Sequence, residues 1–140
     1  MINAIFFYRI GNFCVRHKLP FIPLLMKLII RIIYNSVIDC STKIGKGTYL
    51  AYGGIGVVIH KKAEIGKNVV IGQQVTIGGR SGLKELPIIG DDVYLGAGAK
   101  ILGNVRLGKN VVVGANSVII KDVEKNTVVA GVPGKIIKNV

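Results

Sequence analysis

Two histidines, His17 and His60, are the side chains of this 140-residue chain whose ordinary titration lies nearest neutral pH. His60 stands in the stretch LAYGGIGVVIHKKAEIGKN, residues 50–68, and a histidine projecting there is equipped to take the proton of an attacking hydroxyl. It also reads as a surface residue at a turn. His17 falls in a basic segment and reads as a solvated side chain. Tyr52, in the same stretch as His60, has an ordinary pKa near 10; it suits orienting an acceptor or donating a hydrogen bond, and does not suit a base at neutral pH. Cys14 and Cys40 are too few for a disulfide framework and lack zinc-ligand spacing. They read as small buried thiols in a reducing compartment, and no metal site is expected.

The elements that must position these groups follow from a period of six. Ile59, Ile65, Ile71, Ile77, Leu83, Ile89, Leu95, Ile101, Leu107, Val113 and Ile119 fill every in-phase position, a run that chance gives on the order of once in 10⁵ for an apolar-rich chain. Neither a helix nor a plain alternating strand has that period, so the chain must turn after each short strand. The expected fold is all-β, a parallel β-helix of hexapeptide repeats with three hexads to a coil. The aliphatic residue points inward, and the glycine that often follows it permits close backbone approach. Ala63, Val69, Val75, Val93, Ala99, Val105 and Val111 suit a second inward position.

Two disturbances interrupt the rhythm. Leu50 and Ile59 are nine residues apart, so three residues, Gly53-Gly54-Ile55, have been inserted. Between Ile77 and Ile89, GGRSGLKELP reads as a loop that preserves the phase at Leu83 without forming a regular hexad.

Residues 1–36 carry no hexads and form a separate N-terminal helical, basic amphipathic segment ahead of the β-helix at 37–140. Helices are expected over roughly 2–16 and 21–35, separated by HKLP. Arg9, Arg16, Lys18, Lys27 and Arg31 meet no acid before Asp39, so the segment either packs on the β-helix or a neighbouring subunit, or touches an anionic membrane surface. The apolar run from Phe21 to Ile33 is broken by Lys27 and Arg31 and is short of a span, and no signal peptide is visible. A cytoplasmic location, peripheral to the membrane at most, is expected. The net charge of +12 invites an anionic partner, but no nucleic-acid-binding motif accompanies it, and nucleic acid is not expected.

Residues 76–103, TIGGRSGLKELPIIGDDVYLGAGAKILG, and 128–137, VVAGVPGKII, resemble the serine acetyltransferase branch of the hexapeptide-repeat acyltransferases. The resemblance covers about residues 38–140. It implies a homotrimer of left-handed parallel β-helices, acetyl-CoA as donor, and sites in the grooves between subunits. It places Gly78 and Gly79 near the thioester, Ala97 and Ala115 along the pantetheine arm, and Lys121 and Lys135 near the CoA phosphates. Departures stand beside it: an Asp-His pair of the serine enzymes is replaced by Ala51-Tyr52, and an Arg-His-Pro by Glu85-Leu86-Pro87. Short chains of this kind resemble the O-acetyltransferases of bacterial surface polysaccharides, which implies a sugar hydroxyl as acceptor, on a lipid-borne precursor that the basic N-terminal segment suits. His60 is then the expected base and Tyr52 its helper. L-serine as acceptor, and a catalytically silent trimeric CoA-binding scaffold, are the alternatives.

Overall fold

The computed structural model describes residues 1–140. Two helices, α1 (Ala4–Arg16) and α2 (Ile22–Tyr34), precede fifteen short strands numbered β1 to β15 in chain order. The helices begin and end where the sequence signals them. Asn3 caps α1 by accepting the Ile5 N–H at 3.1 Å, Pro23 sits in the first turn of α2, and Asn35 ends α2 in a left-handed conformation.

The strands wind into a three-faced prism. Face one stacks β1 (Val37–Ile38), β4 (Val58–Ile59), β7 (Thr76–Gly78), β10 (Lys100–Leu102) and β13 (Val118–Ile119). Face two stacks β2 (Lys43–Ile44), β5 (Glu64–Ile65), β8 (Ile88–Ile89) and β11 (Arg106–Leu107). Face three stacks β3 (Tyr49–Leu50), β6 (Val70–Ile71), β9 (Tyr94–Leu95), β12 (Val112–Val113), β14 (Thr127–Ala130) and β15 (Lys135–Asn139), the last pair antiparallel and all others parallel. Register aligns like with like: Ile38, Ile59, Ile77, Ile101 and Ile119 form one ladder, and Leu50, Ile71, Leu95, Val113 and Val129 another. These side chains are buried, as is every residue expected at the second inward position. Full burial of one such aliphatic side chain is worth about 1.5–3 kcal/mol, so the repeated ladder is the main stabilising element of the fold. Leu83 is exposed in the loop between β7 and β8, whereas Leu86 of that loop packs against the core.

The glycine after the inward residue is required on two of the three prism edges. A Cβ on Gly72 or Gly96 would lie 2.7 or 2.6 Å from the backbone nitrogen of Ala97 or Ala115 one coil on, and one on Gly90 would lie 2.7 Å from the Leu107 carbonyl. Coils touch there backbone to backbone. The inserted residues between β3 and β4 form a tight turn, with Tyr52 at φ 52° and Gly53 at φ 77°. The turn bends under the helices, where the buried Gly54 carbonyl accepts a hydrogen bond from the Ser36 hydroxyl.

The first coil has no coil before it to pair with. Side chains of α1, and of its cap, take that place. Asn12 donates to the Cys40 carbonyl at 2.8 Å, Tyr8 to that of Thr42, and Arg9 to those of Ile44 and Gly45 at 2.6 Å each. Asn3 donates to the Leu50 carbonyl at 2.7 Å. Buried carbonyls left without donors are costly, so α1 supplies the missing ladder with side chains. Ala4, Tyr8, Ile30 and Tyr34 belong to the same apolar core as the prism. Tyr8→Phe should lower the unfolding free energy by about 1–3 kcal/mol, measured by urea denaturation, because the buried Thr42 carbonyl then loses its donor.

Candidate functional site

On the edge where each coil leaves face one, the position after the inward residue holds Asp39, His60, Gly78, Leu102 and Ile120 in successive coils. Side chains are admitted here. A Cβ on Gly78 would meet only Thr76, at 3.7 Å, and one on Gly79 only Leu86, at 3.8 Å; neither residue has a positive φ. Packing and backbone conformation both leave these two glycines unforced. They line a groove of about 460 Å³ with His60, Lys61, Asp39 and Lys27, the last contributed by α2.

His60 is exposed, and its backbone N–H donates to the Ile77 carbonyl at 2.8 Å, which holds the residue against β7. Its Nδ1 accepts the Lys62 N–H at 3.1 Å. In the neutral ring so held, the proton resides on Nε2, and His60 offers a donor there. Beside it, Asp39 and Lys27 form an ion pair at 3.0 Å. Oδ1 of Asp39 also accepts from the N–H and hydroxyl of Ser41, at 2.8 and 2.6 Å. Burial pushes the Asp39 carboxyl up, but the Ser41 hydrogen bonds and the Lys27 ammonium outweigh it and hold the pKa down at about 2.

Further along the same edge, Lys121 and Lys135 line one groove at the C-terminal end of the prism, together with Asp122. The remaining candidates lie elsewhere. Tyr52, 72% exposed, and Ala97 and Ala115 occupy the opposite edge, where the chain enters face one from face three. Ala97 and Ala115 stack, the Asn116 N–H donating to the Ala97 carbonyl at 2.8 Å. Ala97 and Leu102, at the two edges of one coil, are five residues apart, which is on the order of 15 Å of extended chain. Within one subunit the candidate residues thus form two sets flanking face one, and the turn that carries Tyr52 bends toward the helices, away from His60.

The sequence pattern of the bacterial transferase hexapeptide family (six repeats) matches residues 87–121. A serine acetyltransferase of Synechococcus elongatus is 37% identical over 138 residues, covering 96% of this chain and 56% of that protein. The crystal structure of Brucella abortus serine acetyltransferase in complex with coenzyme A superposes with a TM-score of 0.89 at 32% identity, over 97% of this chain and 55% of that one. Soybean serine acetyltransferase complexed with serine gives a TM-score of 0.86 at 34% identity, over 96% and 56%. The chain belongs to the hexapeptide-repeat transferase family. Its prism is the left-handed parallel β-helix of its serine acetyltransferase neighbours, and it spans about half the length of the relatives it matches.

Lys27 and Asp39 line the candidate groove and were not singled out by sequence reasoning. A signal for the edge was present: glycine is absent after Ile38, Ile59, Ile101 and Ile119, all in the same side of successive coils, while the other two edges keep it almost throughout. A signal for Lys27 was not, because only tertiary packing brings α2 against β1.

Two expectations follow from this geometry. Gly78→Ala and Gly79→Ala should change stability by less than about 0.5 kcal/mol in urea denaturation, since the added methyl meets ordinary van der Waals space while it narrows the groove. Because the folded pKa of Asp39 lies below the ordinary carboxylate value, its stabilisation is present above about pH 4 and is lost as pH falls toward 2. Asp39→Asn should therefore lower thermal stability at pH 7 and flatten its decline across that acid window, as read by circular dichroism melts.

Proposed function

We propose that this protein is an acetyl-CoA-dependent O-acetyltransferase acting on the hydroxyl of a small acceptor. The observation that carries the reading is the pair of unforced glycines beside His60, on an edge that runs to Lys121 and Lys135. From β4 to β13 that edge crosses three strand spacings, roughly 14 Å. A long, thin pantetheine arm can lie along it, with the thioester near Gly78 and Gly79 and the phosphates near the two lysines. Solved serine acetyltransferases in complex with coenzyme A support the same donor.

The reaction forms a bond between the acceptor oxygen and the acetyl carbon and breaks the carbon–sulfur bond. The hydroxyl proton leaves, and the sulfur departs as thiolate to be protonated as the thiol. As held, His60 presents Nε2–H, a donor suited to the thioester oxygen as charge grows there. To act as the base, the ring turns and releases the Lys62 N–H, at a cost of about 1 kcal/mol, one ordinary hydrogen bond. Backbone N–H groups of the coils supply further fixed donors. Tyr52, Ala97 and Ala115 join the groove from the entry edge of a second copy in a homotrimer, the arrangement that the family resemblance implies.

The acceptor that the relatives favour is L-serine, the substrate named for the Synechococcus elongatus and soybean proteins. The groove is compatible with it: Asp39 and Lys27 place opposite charges beside His60, matching an amino acid's ammonium and carboxylate. A second reading, a saccharide hydroxyl, is favoured by Ala51, Tyr52 and Leu86. Leu86 packs an apolar side chain on the core at a position where the serine enzymes carry histidine.

Thiol release from acetyl-CoA, measured with L-serine, nucleotide sugars and short oligosaccharides, decides among these. Wild type should release thiol in an acceptor-dependent way, and His60→Ala should lose at least about 10²-fold in kcat while still binding acetyl-CoA. Release on serine alone supports the first acceptor and release on a sugar alone the second. Binding without turnover on any acceptor would overturn the enzyme reading in favour of a silent scaffold.

A further inference from the structure

The two helices cover the first coil with one side only. On α2 the side facing the prism buries Met26, Ile30 and Tyr34. Another side of α2 carries Leu24, Leu28 and Ile32, at 68, 53 and 72% exposure, with Leu24 and Leu28 bordering a hollow beside Val37 and Ile38 of β1, and Phe21 stands exposed at the cap of the helix. At about 100° per residue Leu24, Leu28 and Ile32 lie within an arc of about 80°, a continuous apolar stripe. α1 repeats the arrangement: Ala4, Tyr8, Gly11 and Cys14 are buried, while Phe6 and Phe13, two turns apart, are half exposed. Basic residues flank both stripes. Arg31 lies next to Leu24 around α2, and Arg16 lies beside Phe13 on α1, while Arg9 is held by the Ile44 and Gly45 carbonyls of the first coil. Lys18 stands in the connection between the helices.

A soluble surface rarely shows so large a contiguous apolar patch without a partner. The charges restrict what that partner is. Residues 1–38 contain five Lys and Arg and no Asp or Glu, so a second copy docked by the same face would oppose positive charge with positive charge and find no acid to pair with. No helix is long and apolar enough to cross a membrane. A helix with an apolar stripe and a basic edge lies in the plane of a lipid surface, apolar side chains in the acyl boundary and cationic heads at the phosphates.

We infer that the outer face of the α1–α2 hairpin docks onto an anionic lipid surface. Contact through this face sets the long axis of the prism away from the bilayer, because the hairpin closes the N-terminal end of the stack. The groove at His60 begins one coil beyond it, and Lys27 belongs to both the docking helix and the groove. The inference is independent of which acceptor the groove takes.

Flotation of the 140-residue protein with vesicles tests it. Wild type should float with phosphatidylcholine vesicles containing 30–40 per cent phosphatidylglycerol, roughly the anionic content that gives a strong surface potential, and should remain below with pure phosphatidylcholine. Binding should fall as salt screens the charges. Leu24→Ser/Leu28→Ser, which alters only exposed side chains, should reduce partitioning by about tenfold or more with unchanged circular dichroism and melting. Arg31→Glu should do the same on anionic vesicles. Absence of flotation at low salt, or equal flotation of the wild type and the leucine variant, would overturn the inference. So would a drop in oligomeric mass in light scattering of the leucine variant, which would assign the stripe to a contact between copies.

Discussion

Everything in this molecule is constrained by the spacing between successive coils. Parallel strands lie about 4.8 Å apart, and where a coil turns a corner its backbone rests directly on the next. At two prism edges that contact leaves no room for a side chain, which is why Gly72, Gly90 and Gly96 face backbone atoms at under 3 Å from where a Cβ would sit. Left-handed corner positions complete the turn, and asparagine fills several of them: Asn68, Asn110, Asn116 and Asn126 all have positive φ. Asparagine tolerates that conformation better than branched residues do.

The third edge is exempt, and the exemption is what leaves room for a groove there. Relieved of backbone contact, it can present an imidazole, a carboxylate and two open glycines in neighbouring coils, spaced by the strand repeat and held as rigidly as the core beneath them. A solenoid is well suited to an extended ligand for this reason: chemistry at one coil and recognition several coils away are kept at fixed separation. The loop between β7 and β8 leaves from this same edge, and Leu83 and Arg80 of that loop close over Gly103 in the next coil.

Much of this was legible in the residues. The six-residue phase gave the prism, the inward ladders and the second inward positions, and Leu83 was recognisable as a loop residue because charged and turn-forming neighbours surround it. Helix limits were readable within two residues because HKLP breaks the apolar pattern between the helices and the hexads begin just after the second. The site was legible only in part. Its residues recur at known hexad positions, but periodicity does not say which edge a hexad occupies until the three-residue insertion and the loop are placed in space. Lys27 is remote from the groove in sequence, and the direction of the His60 ring depends on one hydrogen bond from Lys62. Those are tertiary and conformational facts that no spacing rule encodes.

The side chains that α1 lends to the first coil have a consequence for solubility. A stack of parallel strands ends in rows of unpaired carbonyl and amide groups, and such an end is a template on which another chain can add. Asn3, Tyr8, Arg9 and Asn12 occupy the carbonyls at one end, and at the other β15 turns back antiparallel against β14. Both closures break the parallel repeat. A second prism therefore meets no matching parallel ladder to extend at either end.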